Sequence, residues 1–171
     1  MKLLFIIAIF ASEIFAFVNT LNSFKADFVQ TITDEKNKTL TYSGSIFASK
    51  PQNAVWKYIT PINKNIYINR YNVIIVEPEI EQVIIRKISS DFDFFNMIKN
   101  AKKIDKNKFI AKFEHTSFII VTKNQLIESI SYIDQFENSV KILFMNQVQN
   151  STIDEDIFIP VFPLEFDIIR D

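Results

Sequence analysis

The sequence predicts a mainly β protein of the α+β class. Its core is one long antiparallel sheet of about ten or eleven strands, curled around an apolar face, with helices over the mouth of the curl. Three observations predict it. From Phe24 onward, apolar and polar residues alternate in run after run, the period of a strand with one buried face. Residues 44–61, GSIFASKPQNAVWKYITP, hold the only glycine and the only tryptophan, and read as two strands around the break Lys50-Pro51-Gln52-Asn53. One stretch, residues 90–103, keeps a clear helical spacing instead.

Each element follows from its own pattern. Residues 1–16, MKLLFIIAIFASEIFA, combine a basic Lys2, an apolar run from Leu3 to Ala11 and a small residue at Ala16. This is the pattern of a cleaved secretory signal. Glu13 interrupts the run well short of the roughly 20 apolar residues that span a membrane. A single domain over residues 17–171 is expected after cleavage near Ala16. Phe17, Val18, Leu21 and Phe24 fall at helical spacing and predict a short amphipathic helix ended by Asn22-Ser23. Phe24, Ala26, Phe28 and Ile32 then share one face of a strand, with Gln30 as a polar residue on that apolar side. The polar run 34–38 turns the chain into Leu40, Tyr42, Gly44, Ile46 and Ala48, and Ala54, Trp56 and Tyr58 continue the alternation.

Further strands are predicted at Ile66 and Ile68, at residues 73–76 after a turn at 69–72, and at 80–88. In residues 90–103, Phe94, Phe95, Ile98 and Ala101 form an apolar stripe behind a Ser90 or Asp91 cap. Lys99, Lys102 and Lys103 fall in its last turns, where cations suit the helix dipole. Strands return at residues 109–113, 118–121, 126–133 and 140–144. A last short strand is expected at 157–159, and residues 166–169 are expected to pair at an edge.

Composition removes several function classes. Lys plus Arg number 19 against 20 Asp plus Glu, for a net charge of −1. Nucleic acid is therefore not an expected partner, since binding phosphates requires an excess of cations. Cysteine is absent and His115 is the only histidine, in an apparent turn, so neither a disulfide nor a zinc cluster can be built. The acidic runs 77–81 and 154–156 lack the spacing of a calcium loop. One glycine in the chain rules out glycine-rich phosphate loops. No catalytic residue, metal site or cofactor is predicted, and an enzyme is the weakest class. The inward aromatics Phe28, Tyr42, Trp56 and Tyr58 face a helix carrying Phe94, Phe95 and Ile98. A filled core and a cavity lined for an apolar ligand both fit that arrangement.

A set of ordered motifs narrows the choice. Phe24, Ala26, Phe28 and Gln30 form F-x-A-x-F-x-Q; Ser43-Gly44 follows; then come Lys50-Pro51, Trp56, Tyr58 and Pro61. Pro78 precedes Glu81-Gln82-Val83, and the chain ends with Phe158, Pro163, Asp167, Ile168 and Ile169. In this order the chain resembles the LolA family of periplasmic outer-membrane lipoprotein carriers across almost all of residues 17–171. The resemblance implies an unclosed antiparallel β-barrel with a helical lid over a hydrophobic cavity, acting as a chaperone in the periplasm. It implies acylated lipoproteins as cargo, an inner-membrane ABC lipoprotein-releasing transporter as donor, an outer-membrane acceptor as a further partner, and a monomer. Phe28, Ile46, Trp56, Tyr58, Ile68, Phe94, Phe95 and Ile98 are the expected acyl-cavity and lid contacts. Lys50 stands where the family usually has a latch arginine, and lysine lacks that residue's planar fork of donors. Asn69-Arg70 replaces the usual Asp-Gly turn, and Glu165 a usual glycine. Two other readings of the same barrel are a periplasmic lipid-binding sensor of envelope stress and a carrier of another lipid or glycolipid.

Overall fold

A computed structural model describes residues 21–88 and 93–170. The signal segment, the start of the helix expected from Phe17, and the Ser90 or Asp91 cap lie outside those residues.

Among the described residues, twelve strands form a single sheet. They are β1 (Ser23–Thr33), β2 (Thr39–Ser49), β3 (Asn53–Thr60), β4 (Lys64–Ile68), β5 (Asn72–Glu77), β6 (Gln82–Lys87), β7 (Lys102–Asp105), β8 (Lys108–Phe113), β9 (Thr116–Lys123), β10 (Leu126–Ile133), β11 (Ser139–Gln149) and β12 (Asp167–Arg170). The spatial order is β12-β6-β5-β4-β3-β2-β1-β11-β10-β9-β8-β7, so β12 and β7 are free edges and the barrel is unclosed. Strand β1 is the seam, antiparallel to β2 on one side and to the distant β11 on the other.

Several elements differ from expectation, each for a physical reason. The helix expected over 90–103 is the shorter α1 (Phe94–Lys99). Asp93 caps it, accepting from the backbone N–H of Phe95 at 2.9 Å and of Asn96 at 3.1 Å. Lys102 and Lys103, expected in its last turns, leave the helix because β7 pairs them with Ile110 and Phe109 of β8. That pairing supplies the twelfth strand. Residues 157–159 are not a strand: Glu155–Phe158 is a 3-10 helix capped by Asp154, whose carboxylate accepts from the Asp156 N–H at 3.1 Å. Pro78–Ile80 is likewise a 3-10 helix ahead of β6. The last strand does pair at an edge, but parallel to β6, because residues 151–166 carry the chain across the sheet before it pairs. Phe24, expected to close the N-terminal helix as well as open a strand, sits in β1.

The sheet has two apolar cores. The concave one is built on Phe24, Ala26 and Phe28 of β1, which are buried to 1% exposure or less, and extends through Ile46, Tyr58, Ile130, Ile142 and Phe144 to Phe95 and Ile98 of α1. The convex one is smaller: Val55, Tyr67, Val76 and Val83 are buried beneath Ile157, Phe158, Phe162 and Phe166 of the returning C-terminal segment. A strand covered on both faces reads as a continuous apolar run, which is why residues 73–76 and 83–85 do not alternate.

Gly44 owes its identity to the β2–β3 contact. A Cβ at this position would overlap the backbone carbonyl of Lys57 and stand 3.0 Å from the Tyr58 Cα. The missing side chain lets β3 close onto β2, and Phe28 and Tyr58, each paired in register with Gly44, bring their rings to 5.0 Å edge to face.

Candidate functional site

α1 lies over the concave face, held by Phe95 and Ile98 at 4% and 2% exposure. Phe94 and Met97, one helical turn apart, are only half-buried. Beneath them is a cavity of about 220 Å³. Its walls come from Trp56 and Tyr58 of β3, Ile66 of β4, Gln30 of β1, Ile142 of β11, Ile130 and Tyr132 of β10, and Phe118 of β9, with Phe94 and Met97 above. Apolar groups dominate, and no charged side chain lines it among the described residues. Such a space suits a hydrocarbon ligand.

The residues singled out from the sequence fall into two layers. Trp56, Tyr58 and Phe94 line the cavity. Phe28, Ile46, Phe95 and Ile98 are buried behind it, at 1%, 1%, 4% and 2% exposure, and Ile68 is half-buried against the same core. The Phe28 ring meets both Trp56 and Tyr58 edge to face at 5.0 Å, so it fixes the wall from beneath. Gln30, Ile66, Met97, Phe118, Ile130, Tyr132 and Ile142 also line the cavity. Met97 was findable, because it lies at i+3 from Phe94 on the same helical face. Ile130 and Ile142 were not: they reach the site through the register Gln30↔Ile142↔Ile130, and that pairing joins distant parts of the chain.

One hydrogen bond anchors the polar part of the wall. The Tyr58 hydroxyl donates to Gln30 Oε1 at 2.8 Å, and both residues are buried. Burial above all, then the neighbouring Tyr132 and Tyr42 phenols, pushes the Tyr58 hydroxyl well above its ordinary value of 10.0. It is therefore a permanent donor at neutral pH. Replacing Tyr58 with Phe removes the bond and leaves a buried carbonyl unpaired, so a loss of about 1–2 kcal/mol is expected in denaturant titrations. The pH dependence has a definite sign. A phenol whose native value is raised contributes its full stability below pH 10.0 and loses it as the pH climbs further, because the unfolded chain ionises first. The stability gap between wild type and Tyr58→Phe should therefore narrow above that pH.

Lys50 sits at the rim, exposed in the turn between β2 and β3. Its ammonium donates to Asn22 Oδ1 at 3.0 Å and stands 6.0 Å from the centroid of the Phe95 ring on α1. The side chain therefore touches both Asn22 and α1, through one hydrogen bond and a distant ring contact, while the Lys50 backbone N–H separately donates to the Asn22 carbonyl at 2.9 Å. An exposed contact of this kind is worth about 0.5–1 kcal/mol. Lys50→Ala should accordingly raise amide exchange in α1 only a few-fold, and Lys50→Arg should reverse the change; indifference to both would remove Lys50 from any lid role.

Residues 19–112 match the family described as outer membrane lipoprotein carrier protein LolA. Over 169 residues the chain is 41% identical to an outer-membrane lipoprotein carrier protein of Campylobacter jejuni, covering 99% of both chains. The chain belongs to the LolA family. A second LolA-family relative, the outer-membrane lipoprotein carrier protein of Wolinella succinogenes, is 30% identical over 162 residues and 94% of each chain. Solved structures share the fold at far lower identity. An uncharacterized conserved protein from Thermus thermophilus superposes with a TM-score of 0.56 at 9% identity, covering 92% of this chain and 97% of that one. A LolA superfamily protein from Nitrosomonas europaea superposes with a TM-score of 0.50 at 8% identity, covering 86% and 96%.

Proposed function

We propose that this LolA-family protein is a periplasmic chaperone that accepts lipoproteins leaving the inner membrane, shields their acyl chains between α1 and the concave sheet, and delivers them to the outer membrane. The observation that carries the reading is the apolar cavity under α1 in a chain whose relatives are named lipoprotein carriers. The physical need is plain. Burying a methylene is worth about 0.8 kcal/mol, so a multiply acylated protein does not leave a membrane for water unaided. The donor on this reading is an inner-membrane ABC transporter, and an outer-membrane acceptor takes the cargo. Residues 17–171 are the mature carrier after signal cleavage near Ala16, and mass spectrometry of the exported protein tests that boundary.

The decisive experiment is release. Membranes carrying the transporter and a labelled lipoprotein, given ATP and the purified protein, should yield a soluble one-to-one complex. Lipoprotein that stays in the membrane pellet would overturn the proposal. Lipid extracted from the purified protein, identified by mass spectrometry, separates lipoprotein transport from carriage of another lipid.

A further inference from the structure

The polar groups of the cavity are out of place in a container for hydrocarbon alone. Gln30 is 8% exposed and lines the cavity from the apolar face of β1, between Tyr42 of β2 and Ile142 of β11. Its Oε1 is occupied by the Tyr58 hydroxyl, while its Nε2 donates to no protein group among the described residues. An amide donor that faces an apolar cavity and bonds no protein group is available to a ligand that accepts. A second donor stands nearby: Tyr132 lines the same cavity, and burial, then Asp134, raises its phenol so that it too stays protonated.

We propose that Gln30 Nε2, with the Tyr132 hydroxyl, binds the carbonyl oxygen of an ester-linked acyl chain and so sets which end of the chain lies at β1 and which lies under Phe94 and Met97. This rests on the reading of the cavity as an acyl-chain site and names the chemistry it selects. Three features choose the ester. The cavity offers donors at Gln30 Nε2 and the Tyr132 hydroxyl, so a carbonyl oxygen, which only accepts, is complementary to both. No charged side chain lines the wall among the described residues, so an ionised carboxylate would be buried without a counter-ion. Lys64, the nearby cation, lies over the Tyr58 and Tyr42 rings at 4.9 and 5.7 Å and is not part of the wall.

Trp56 is the only tryptophan in the chain and lines the cavity, so its emission reports occupancy directly. Four probes separate the possibilities: dioctanoylglycerol, its dioctyl ether analogue, N-octyloctanamide and octanoate. The diester should bind wild type about three- to tenfold tighter than the diether, the range of one neutral hydrogen bond in a buried site. Gln30→Leu should abolish that preference, so that diester and diether bind the variant equally, and Gln30→Met, unbranched and also without a donor, repeats the test if the leucine variant folds poorly. Equal binding of diester and diether by wild type overturns the proposal, as does a preference that survives both substitutions. Tighter binding of the amide or of octanoate than of the diester overturns it in favour of that group. Failure of all four probes to perturb Trp56 overturns the acyl-cavity reading itself, which distinguishes the two failures.

Discussion

Gly44→Ala should lower the stability of the protein by roughly 3 kcal/mol or more, at the upper end of what overpacking does in a sheet interior. The added carbon would meet the backbone of β3, at the Lys57 carbonyl and the Tyr58 Cα. Side chains can change rotamer to admit a methyl group, but a paired strand can only move away. The movement would part β2 from β3, the junction that joins β3, β4, β5, β6 and β12 to the rest of the sheet. For a domain of this size, such a loss lowers the melting temperature by about 6–12 °C. Ser45→Ala, one residue along the same strand and only partly buried, should change stability by no more than about 0.5 kcal/mol. A Gly44→Ala protein melting within about two degrees of wild type, far below that expected drop, would show that β3 does not approach β2 as described.

Phe95→Ala should act on the lid and spare the sheet. Truncating a buried phenylalanine costs about 3–5 kcal/mol. α1 has six residues, too few to be stable without docking, so Phe95 and Ile98 hold it in place. Phe95 also meets Phe94 edge to face at 5.6 Å and carries the Lys50 contact. The loss therefore exceeds what the lid can absorb, and α1 should undock while the strands stay paired. Far-UV circular dichroism should keep its β signal, Trp56 emission should shift to longer wavelength as its cavity opens, and an apolar dye should bind more strongly. Unchanged Trp56 emission and dye binding would mean that α1 is held by something other than its two buried side chains. Lys99→Ala, on the exposed side of the same helix, is the control.

Period-two alternation made the strands of the concave face legible in the sequence, and the Phe94, Phe95 and Ile98 stripe made the lid legible. Boundaries decided by pairing were not. Lys102 and Lys103 have the charge and position of a helix C-terminus, and only the partner strand β8 draws them into β7. The convex core was hidden for a related reason: Ile157 and Phe158 look like a strand until the surface they cover, Val55 and Val83, is seen to be on the back of the sheet. Within the site, Trp56, Tyr58 and Phe94 were visible as inward aromatics. Which aromatics face open space and which are packed behind, as Phe28 and Phe95 are, depends on depth below the surface, and residue type does not encode depth. Gln30 was conspicuous as a polar residue on an apolar strand face, but its partner Tyr58 becomes evident only when β1 and β3 curl toward each other on either side of β2.

The cavity of about 220 Å³ is smaller than the roughly 300–1,000 Å³ of ordinary ligand pockets. On the proposed reading, long acyl chains enter only as Phe94 and Met97 yield, which makes α1 a tethered competitor for the space it covers. The apparent affinity for cargo is then the intrinsic affinity reduced by the fraction of molecules with the helix displaced. Changes on the outer contacts of α1 would retune loading and unloading together without touching a residue that meets the lipid, and a carrier built this way empties by letting its own helix rebind.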